Sequence, residues 1–190
     1  MPDADAMNFL LRRRSVPAKT LADPAPDRAT LEPILRAAAR VPDHGKLEPW
    51  RFLVLERGAL DRLAALIGTI GVERGEAPEA IAKQQAQYAG APLAVMVVSS
   101  PKASEKIPEF EQLLSAGAAC LSLLNAALAS GWGANWVTGW AVYDARFRAE
   151  GLGLAEHERV AGVVVIGTAG SAPPDRPRPD LDAIVTWADR

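Results

Sequence analysis

Two groups of arginines at opposite ends of this 190-residue chain carry the side chains best suited to binding an anion. The first is Arg12-Arg13-Arg14, which Ser15 follows directly, and the second is Arg176-Pro177-Arg178. Forked guanidinium donors with a nearby hydroxyl match the oxygens of a phosphate monoester. The first group therefore predicts a phosphate site, although arginines at the carboxyl end of a helix also complement its dipole. The second group is equally compatible with a solvated linker.

Three tryptophans spaced four residues apart, Trp132, Trp136 and Trp140, form the second chemical feature. Glycines between them disfavour a helix, whereas the even spacing fits one face of a strand. On that face the tryptophans would alternate with Ala134 and Thr138. A flat aromatic ligand could lie there, but core packing is the commoner use of such side chains.

The sequence contains few side chains that could bind a metal ion or act as a nucleophile. Cys120 is the only cysteine, and His44 and His157 are the only histidines, so zinc and iron–sulfur sites lack ligands and no intrachain disulfide can form. This cysteine usage is typical of a reducing, cytoplasmic setting. His44 lies in a Pro-Asp-His-Gly turn, where a histidine more often makes a loop hydrogen bond than acts in catalysis.

Motifs and net charge exclude several function classes. No G-x-x-x-x-G-K-[ST] or G-x-S-x-G pattern occurs, and Gly131-Trp132-Gly133 is followed by Trp136 where a dinucleotide fingerprint needs Gly or Ala. P-loop, Rossmann and ordinary hydrolase functions are therefore disfavoured. The 21 Lys and Arg against 23 Asp and Glu give a net charge of −2, so no nucleic-acid partner is expected.

The stretch from Gln112 to Tyr143 carries no charged side chain and is long enough to span a bilayer. It is rich in Ala, Gly and Ser, Gly131-Trp132-Gly133 interrupts it, and no cluster of Lys and Arg flanks it. A helix buried within the protein is the better interpretation, and no membrane partner is expected. Its apolar and small residues exceed what one side of such a domain covers, which predicts a homodimer.

The hydrophobic pattern predicts the helices and strands that must position these groups. The expected helices span about 4–14, 30–40, 60–70, 76–88, 109–130 and 144–150. Phe9 with Leu10 or Leu11 should face inward in the first. Either Asp27 or Thr30 can cap the second, and Thr30 is preferred because it keeps Pro33 within the first turn. The expected strands span 51–56, 93–100, 134–138 and 160–167, with a strand-like segment at 184–187. The pattern indicates one α+β domain over residues 1–190, with helices flanking a mixed central sheet.

Four motifs occur together in the chain: Arg13-Arg14-Ser15, the segment from Arg36 to Trp50, the run from Gly131 to Trp136, and Pro177-Arg178-Pro179 ahead of Ile184-Val185. Together they resemble the motifs of the nitroreductase family, in particular its short, single-domain YdjA-like branch. The resemblance covers nearly the whole chain. It implies an FMN-dependent NAD(P)H oxidoreductase with a nitroreductase-like α+β fold, working as an intertwined homodimer with flavin sites at the subunit interface.

The resemblance also implies roles for individual residues. Arg13 and Ser15, with Arg14 adjacent, match the residues that bind the FMN phosphate and ribityl chain. Arg178 matches an arginine near the carboxyl terminus that binds the phosphate. Residues matching positions near the flavin ring are Arg40, His44, Trp136, Val137 and Thr138. No catalytic side chain and no metal are implied, because flavin N5 carries the chemistry. The chain departs from the broad family pattern at Lys19, Asp43, Lys46 and Glu48.

Several functions are consistent with this resemblance. The first expectation is ping-pong transfer of hydride from NAD(P)H through the flavin to a nitroaromatic, a quinone or a similar small-molecule acceptor. A second is a different flavin chemistry on the same fold, either flavin destruction or reductive dehalogenation. A non-catalytic flavin-binding dimer and a purely structural dimer are also compatible with the residues.

Overall fold

Five strands form one sheet in the computed structural model, which describes residues 2–189. They are β1 Leu21–Ala22, β2 Trp50–Leu55, β3 Leu93–Ser99, β4 Gly133–Val137 and β5 Arg159–Ala169. The strand order is β1-β5-β3-β2, and β4 also pairs with β5. All four pairings within the described residues are antiparallel. The α+β class is therefore confirmed, and the expectation of a mixed sheet is wrong for the single chain.

The helices are α1 Ala4–Arg12, α2 Arg28–Ala38, α3 Arg57–Glu73, α4 Pro78–Ala89, α5 Glu109–Ala129 and α6 Leu181–Ile184. Short 3₁₀ turns lie at Ala18–Thr20, His44–Lys46 and Trp140–Tyr143, and a π-helical turn lies at Phe147–Gly151. The predicted helix at 144–150 is this short turn, and the Asp144 carboxylate caps it by accepting from the Phe147 N–H at 2.9 Å. The other expected helices are present with shifted ends.

Side chains of β3 alternate between two apolar cores, one on each face of the sheet. Val95 and Val97 pack with α2 and α5, whereas Met96 and Val98 pack on the side of α3. All four side chains are fully buried. Helices on both faces therefore explain the continuous apolar run of this strand, a pattern that is also typical of parallel sheets.

Helix α5 crosses the sheet and carries the uncharged part of the sequence. By length and composition it would be able to cross a membrane. It packs instead against α2 and strands β3, β4 and β5, and Ala119, Leu123 and Ala127 are fully buried. The interpretation of this segment as a core helix is confirmed.

Helix α1 differs from its expected packing. No residue of α1 is buried, and Leu10 and Leu11 are 53% and 70% exposed. The expectation that Leu10 or Leu11 faces inward with Phe9 is wrong in this chain, because α1 lies outside both apolar cores. Amphipathic spacing predicts a helix but does not specify what covers its apolar side.

Helix α2 begins at Arg28, two residues before the expected cap. The Asp27 carboxylate accepts from the Thr30 N–H at 2.8 Å. Asp27 is therefore the cap, and Thr30 is the residue whose N–H it satisfies. This hydrogen bond lowers the pKa of Asp27. The prediction that Thr30 is the cap is wrong because it assumed that Pro33 lies within the first turn, whereas Pro33 lies further inside α2.

The carboxyl-terminal segment also differs from expectation. Residues 184–187 do not form a strand, and a single helical turn ends at Ile184. Val185 is partly exposed and Trp187 is 92% exposed. A strand needs a partner edge, and this segment has no strand partner among the described residues.

Candidate functional site

The two arginine groups, more than 160 residues apart in sequence, meet in one cavity of about 450 Å³. The residues that line it are Arg13, Arg14, Ser15, Pro17, Asn135, Arg176, Pro177, Arg178 and Pro179. We call this the arginine cavity. The arginines that the sequence predicts to bind an anion thus line one cavity, with donors from both ends of the chain.

The end of α1 places the first arginine group. The Arg13 N–H donates to Phe9 O at 2.7 Å and closes the last turn, and Arg13 then leaves helical geometry with ψ of 140°. Two residues after Arg14, the Val16 N–H donates to Ala134 O at 2.9 Å. The chain is therefore held along β4, which brings Ser15 and Asn135 into the same cavity.

Asp175 connects the second arginine group to the first. One oxygen of its carboxylate, Oδ1, accepts from Arg14 Nη1 at 2.6 Å and from Arg178 Nη2 at 3.1 Å. The same oxygen accepts from the Arg176 N–H at 2.9 Å. These hydrogen bonds lower the pKa of Asp175, the largest cause being the Arg176 N–H and the next Arg14, so the carboxylate is ionised at neutral pH.

Arg13 is a half-buried cation that lines the arginine cavity. Its Nη2 atom donates to Ser15 Oγ at 3.3 Å, but its buried Nε has no hydrogen-bond partner among the described residues. Burial lowers the pKa of Arg13, and the neighbouring charges of Arg178 and Arg14 lower it further. A buried donor without an acceptor is costly, and clustered like charges repel. An anion in the cavity would remove both penalties.

Asn135 was not predicted as a cavity residue, yet it lines the arginine cavity from strand β4. Its neighbour Trp136 projects to the other face of the strand and covers Gly162, where an added methyl group would collide with the indole. Trp136 remains 37% exposed. The predicted group Trp136, Val137 and Thr138 therefore follows the cavity along β4 but does not line it.

The expected row of tryptophans on one strand face is not formed. Strand β4 ends at Val137, so Trp140 falls in the next 3₁₀ turn and packs on the core of α3. Trp132 lies before β4 and packs on the core of α5. Because the strand ends early, equal sequence spacing does not put these rings on one surface.

Arg40 and His44 lie away from the arginine cavity within one chain. Arg40 is exposed beside the outer surface of α2, in a depression that Arg36 and Glu32 also line. His44 Nδ1 is 2.7 Å from Glu111 Oε2, in the first turn of α5. The described residues of one chain thus do not bring the two groups of predicted flavin contacts together.

The side chain of Asp43 holds the loop around His44. The Asp43 carboxylate accepts from the Leu47 N–H at 3.2 Å and the Glu48 N–H at 2.8 Å. Gly45 has a φ of 73°, and a side chain there would collide with Ile107. One departure from the broad family pattern, Asp43, therefore has a structural purpose, since it closes the turn that presents His44.

Comparisons with known proteins show the family to which this chain belongs. The model of the nitroreductase family matches residues 10–168. YdjA of Escherichia coli strain K12, which is assigned as an NAD(P)H nitroreductase, is 36% identical over 164 residues, which cover 86% of this chain and 88% of YdjA. A protein of Haemophilus influenzae with the same assignment is 39% identical over 165 residues, with the same two coverages.

Solved structures show the same fold. A nitroreductase-like family protein from Bacillus cereus superposes with a TM-score of 0.82 at 23% identity, over 100% of this chain and 98% of the other. The FMN- and NADPH-dependent nitroreductase NfnB of a Sphingopyxis strain superposes with a TM-score of 0.71 at 25% identity, over 96% of this chain and 98% of the other. Sequence and fold together show that this chain belongs to the nitroreductase family and is an oxidoreductase of the NAD(P)H-dependent nitroreductase type.

Proposed function

We propose that this protein is an FMN-dependent NAD(P)H oxidoreductase that reduces nitroaromatics, quinones or similar small acceptors. The observation that carries the proposal is the arginine cavity, where cations from both chain ends surround a buried Arg13 Nε that has no partner among the described residues. FMN, when bound, supplies the N5 atom through which NAD(P)H passes hydride to the acceptor, in ping-pong order. Relatives assigned as NAD(P)H nitroreductases support the same conclusion.

The residues present fit the phosphate end of FMN. Arg13, Arg14 and Arg178 supply forked donors, and Ser15 supplies a hydroxyl on the same side of the cavity. We add Asn135, whose amide lies in the cavity and can donate to phosphate or ribityl oxygens. A dianionic phosphate would give Arg13 Nε its missing acceptor and relieve the repulsion among the arginines.

We infer that the functional unit is a homodimer. Helix α5 leaves a row of apolar side chains exposed at helical spacing, with Phe110 at 68%, Leu114 at 56% and Leu121 at 47%. Gly117 lies in this row and would allow close approach of a second helix. The exposed apolar side chains of the carboxyl-terminal segment, such as Trp187, would be covered in an intertwined arrangement.

The flavin ring would then lie between two copies. His44 contacts Glu111, which lies directly beside Phe110 at the start of the exposed row on α5. A second copy on this row would therefore bring its own Arg40 and His44 close to the first copy. We propose that these residues meet the ring edge there, opposite Trp136, Val137 and Thr138 at the end of β4.

The chemical task of these residues is electrostatic. A fixed cation or N–H donor near the pyrimidine edge of the ring stabilises negative charge that develops there during reduction. Arg40 and His44 would supply such groups, whereas β4 would leave one face of the ring open for the nicotinamide and then the acceptor. Protons can come from water or from the acceptor, so no catalytic side chain is required.

We also propose that residues 1–190 act as one FMN-binding domain and that the enzyme works in the cytoplasm, where NAD(P)H is available. Its single cysteine, Cys120, is fully buried, and burial raises the pKa of its thiol to about 12. Redox chemistry at this thiol is therefore disfavoured.

The test is the colour of the purified protein. With added FMN, we expect a yellow complex that NADPH or NADH bleaches and that a nitroaromatic or a quinone recolours. A complex that neither nucleotide bleaches would indicate a non-catalytic flavin binder. A protein that does not retain FMN would overturn the proposed function.

A further inference from the structure

Asp175 is the carboxylate that meets the arginine groups from both ends of the chain. It accepts from Arg14 at 2.6 Å and from Arg178 at 3.1 Å, although its side chain is 78% exposed. Within the described residues, the Arg14–Asp175 pair supplies the only hydrogen bond between the segment 171–189 and the rest of the chain. The location of the second arginine group therefore depends on this one carboxylate.

We propose that Asp175 is a positioning residue that docks the carboxyl-terminal segment on the end of α1 and holds Arg178 at the arginine cavity before the cofactor binds. This inference rests on the proposed function, in which the cavity receives the FMN phosphate. It assigns to Asp175 the pre-organisation of the phosphate site.

Apolar packing does little to hold this segment in place. Residues 174–189 are exposed throughout, and Pro173 is only half-buried. The prolines at 173, 174, 177 and 179 limit the conformations of the backbone, but within the described residues, 2–189, none of them belongs to either apolar core. Within one chain, the contact that holds the segment is therefore mainly polar, and Asp175 provides it.

Charge makes the anchor more important. Docking the segment brings Arg176 and Arg178 close to Arg13 and Arg14, and the resulting repulsion lowers the pKa of Arg13 in addition to the larger effect of burial. Without a counter-charge, this repulsion would drive the segment away from α1 in the cofactor-free protein. The Asp175 carboxylate offsets part of the repulsion where Arg14 and Arg178 approach each other.

The location of Asp175 indicates that it anchors the carboxyl-terminal segment and does not compete with a phosphate for the arginines. Asp175 lines a neighbouring cavity of about 390 Å³ with Leu11, Arg12 and Pro173, and it does not line the arginine cavity. Arg14 and Arg178 line both cavities. The carboxylate therefore contacts these guanidinium groups from outside and leaves the phosphate side of the cavity open.

A label on the carboxyl-terminal segment tests the docking step without flavin. Cys120 is fully buried, so a fluorophore on Ala183→Cys would report the segment alone. In the cofactor-free protein, Asp175→Asn should lower the anisotropy of the label. Asp189→Asn removes the same charge from the same segment, at a carboxylate that has no described ion pair, and should leave the anisotropy unchanged.

Titration of the cofactor-free variants with FMN and riboflavin tests the consequence. Asp175→Asn should weaken FMN binding by about two- to fivefold and leave riboflavin binding unchanged, since exposed ion pairs contribute modestly. Asp175→Glu should restore part of the loss. In an Arg14→Gln background the Asp175→Asn effect should shrink, because the carboxylate acts through Arg14.

The outcomes separate the two proposals. Unchanged anisotropy in Asp175→Asn, or an unchanged ratio of FMN to riboflavin affinity, would show that Asp175 is a surface ion pair without a positioning role. Tighter FMN binding would show that the carboxylate competes with phosphate. A wild-type protein that binds FMN no better than riboflavin would overturn the phosphate site itself, whereas the anisotropy experiment would still decide whether Asp175 docks the segment.

Discussion

Single residues of the arginine cavity determine how tightly a phosphate is held. Arg13→Ala and Arg178→Ala should each weaken FMN binding, because each removes charge-assisted hydrogen bonds of about 1.5–3 kcal/mol. That is about one to two powers of ten in affinity. Riboflavin binding should barely change, since riboflavin has no phosphate. Titration of the cofactor-free variants with both ligands measures this difference.

Arg12→Ala is the matched control at this scale. Arg12 is exposed, its Nε donates to Asn8 O at 3.1 Å, and it does not line the arginine cavity. Its removal should leave FMN affinity near the wild-type value. A loss as large as that of Arg13→Ala would mean that the basic run acts through the fold or through general surface charge.

Not every residue that lines the arginine cavity could be predicted from the sequence. Arg13, Arg14 and Ser15 were predicted from the chemistry of phosphate binding, whereas Arg178 was predicted only through the resemblance to the family. Asn135 was not predicted, since a lone amide in an apolar strand has no distinctive sequence pattern. Asp175 directly precedes Arg176, and an acid beside an Arg-Pro-Arg run is a signal from which its ion pairs could have been predicted.

At the scale of elements, an ion pair between the buried carboxylate of Glu158 and the partly exposed Arg51 links β2 to the start of β5 across the intervening strand β3. Glu158 is 6% exposed, and its two oxygens accept from Arg51 Nε and Nη2 at 2.8 Å each. The Ala155 N–H also donates to this carboxylate at 3.0 Å. The Arg51 donors are the largest cause that lowers the pKa of Glu158 to about 2, against the opposing effect of burial.

This pair predicts an acid-dependent loss of stability. Because the folded pKa of Glu158 lies below its ordinary value of 4.5, its contribution is complete above about pH 4.5 and is lost as pH falls towards 2. With solvent screening of the partly exposed Arg51 taken into account, the contribution is about 1–3 kcal/mol. Glu158→Gln should lower the free energy of unfolding by about that amount at pH 7 and should flatten its pH dependence below 4.5. Urea unfolding of the cofactor-free protein between pH 3 and 7 measures both effects, and parallel pH profiles for variant and wild type would contradict the prediction.

Local patterns predicted most elements but not their surroundings. The apolar runs of β3 and β5 indicated central strands correctly, because burial on both faces leaves a continuous signal. The direction of pairing is not encoded in those runs, so they could not predict an antiparallel sheet. The 184–187 segment has strand-like composition, but its conformation depends on a partner edge that composition alone does not identify.

At the scale of the whole molecule, the exposed row on α5 predicts self-association. Leu121→Glu would place a charge in this row and should shift the protein from a species near twice 20.2 kDa towards a folded monomer. Val72→Glu is the control, because Val72 is 73% exposed on α3, outside the row. Sedimentation across a dilution series measures the masses. Identical behaviour of the two variants would remove α5 from the interface.

The shared flavin site makes the most specific prediction about the dimer. His44→Ala should lower the reduction potential of bound flavin, since it removes a donor from the proposed ring edge, whereas Arg13→Ala should weaken flavin binding. In mixed dimers of these two chains, one of the two sites would combine a wild-type Arg13 from one copy with a wild-type His44 from the other. Half of the sites should then bind FMN tightly at the wild-type potential. If each site belongs to a single chain, every tightly bound flavin in the mixed dimer would show the lowered potential of His44→Ala, so redox titration of the bound flavin decides between the two arrangements.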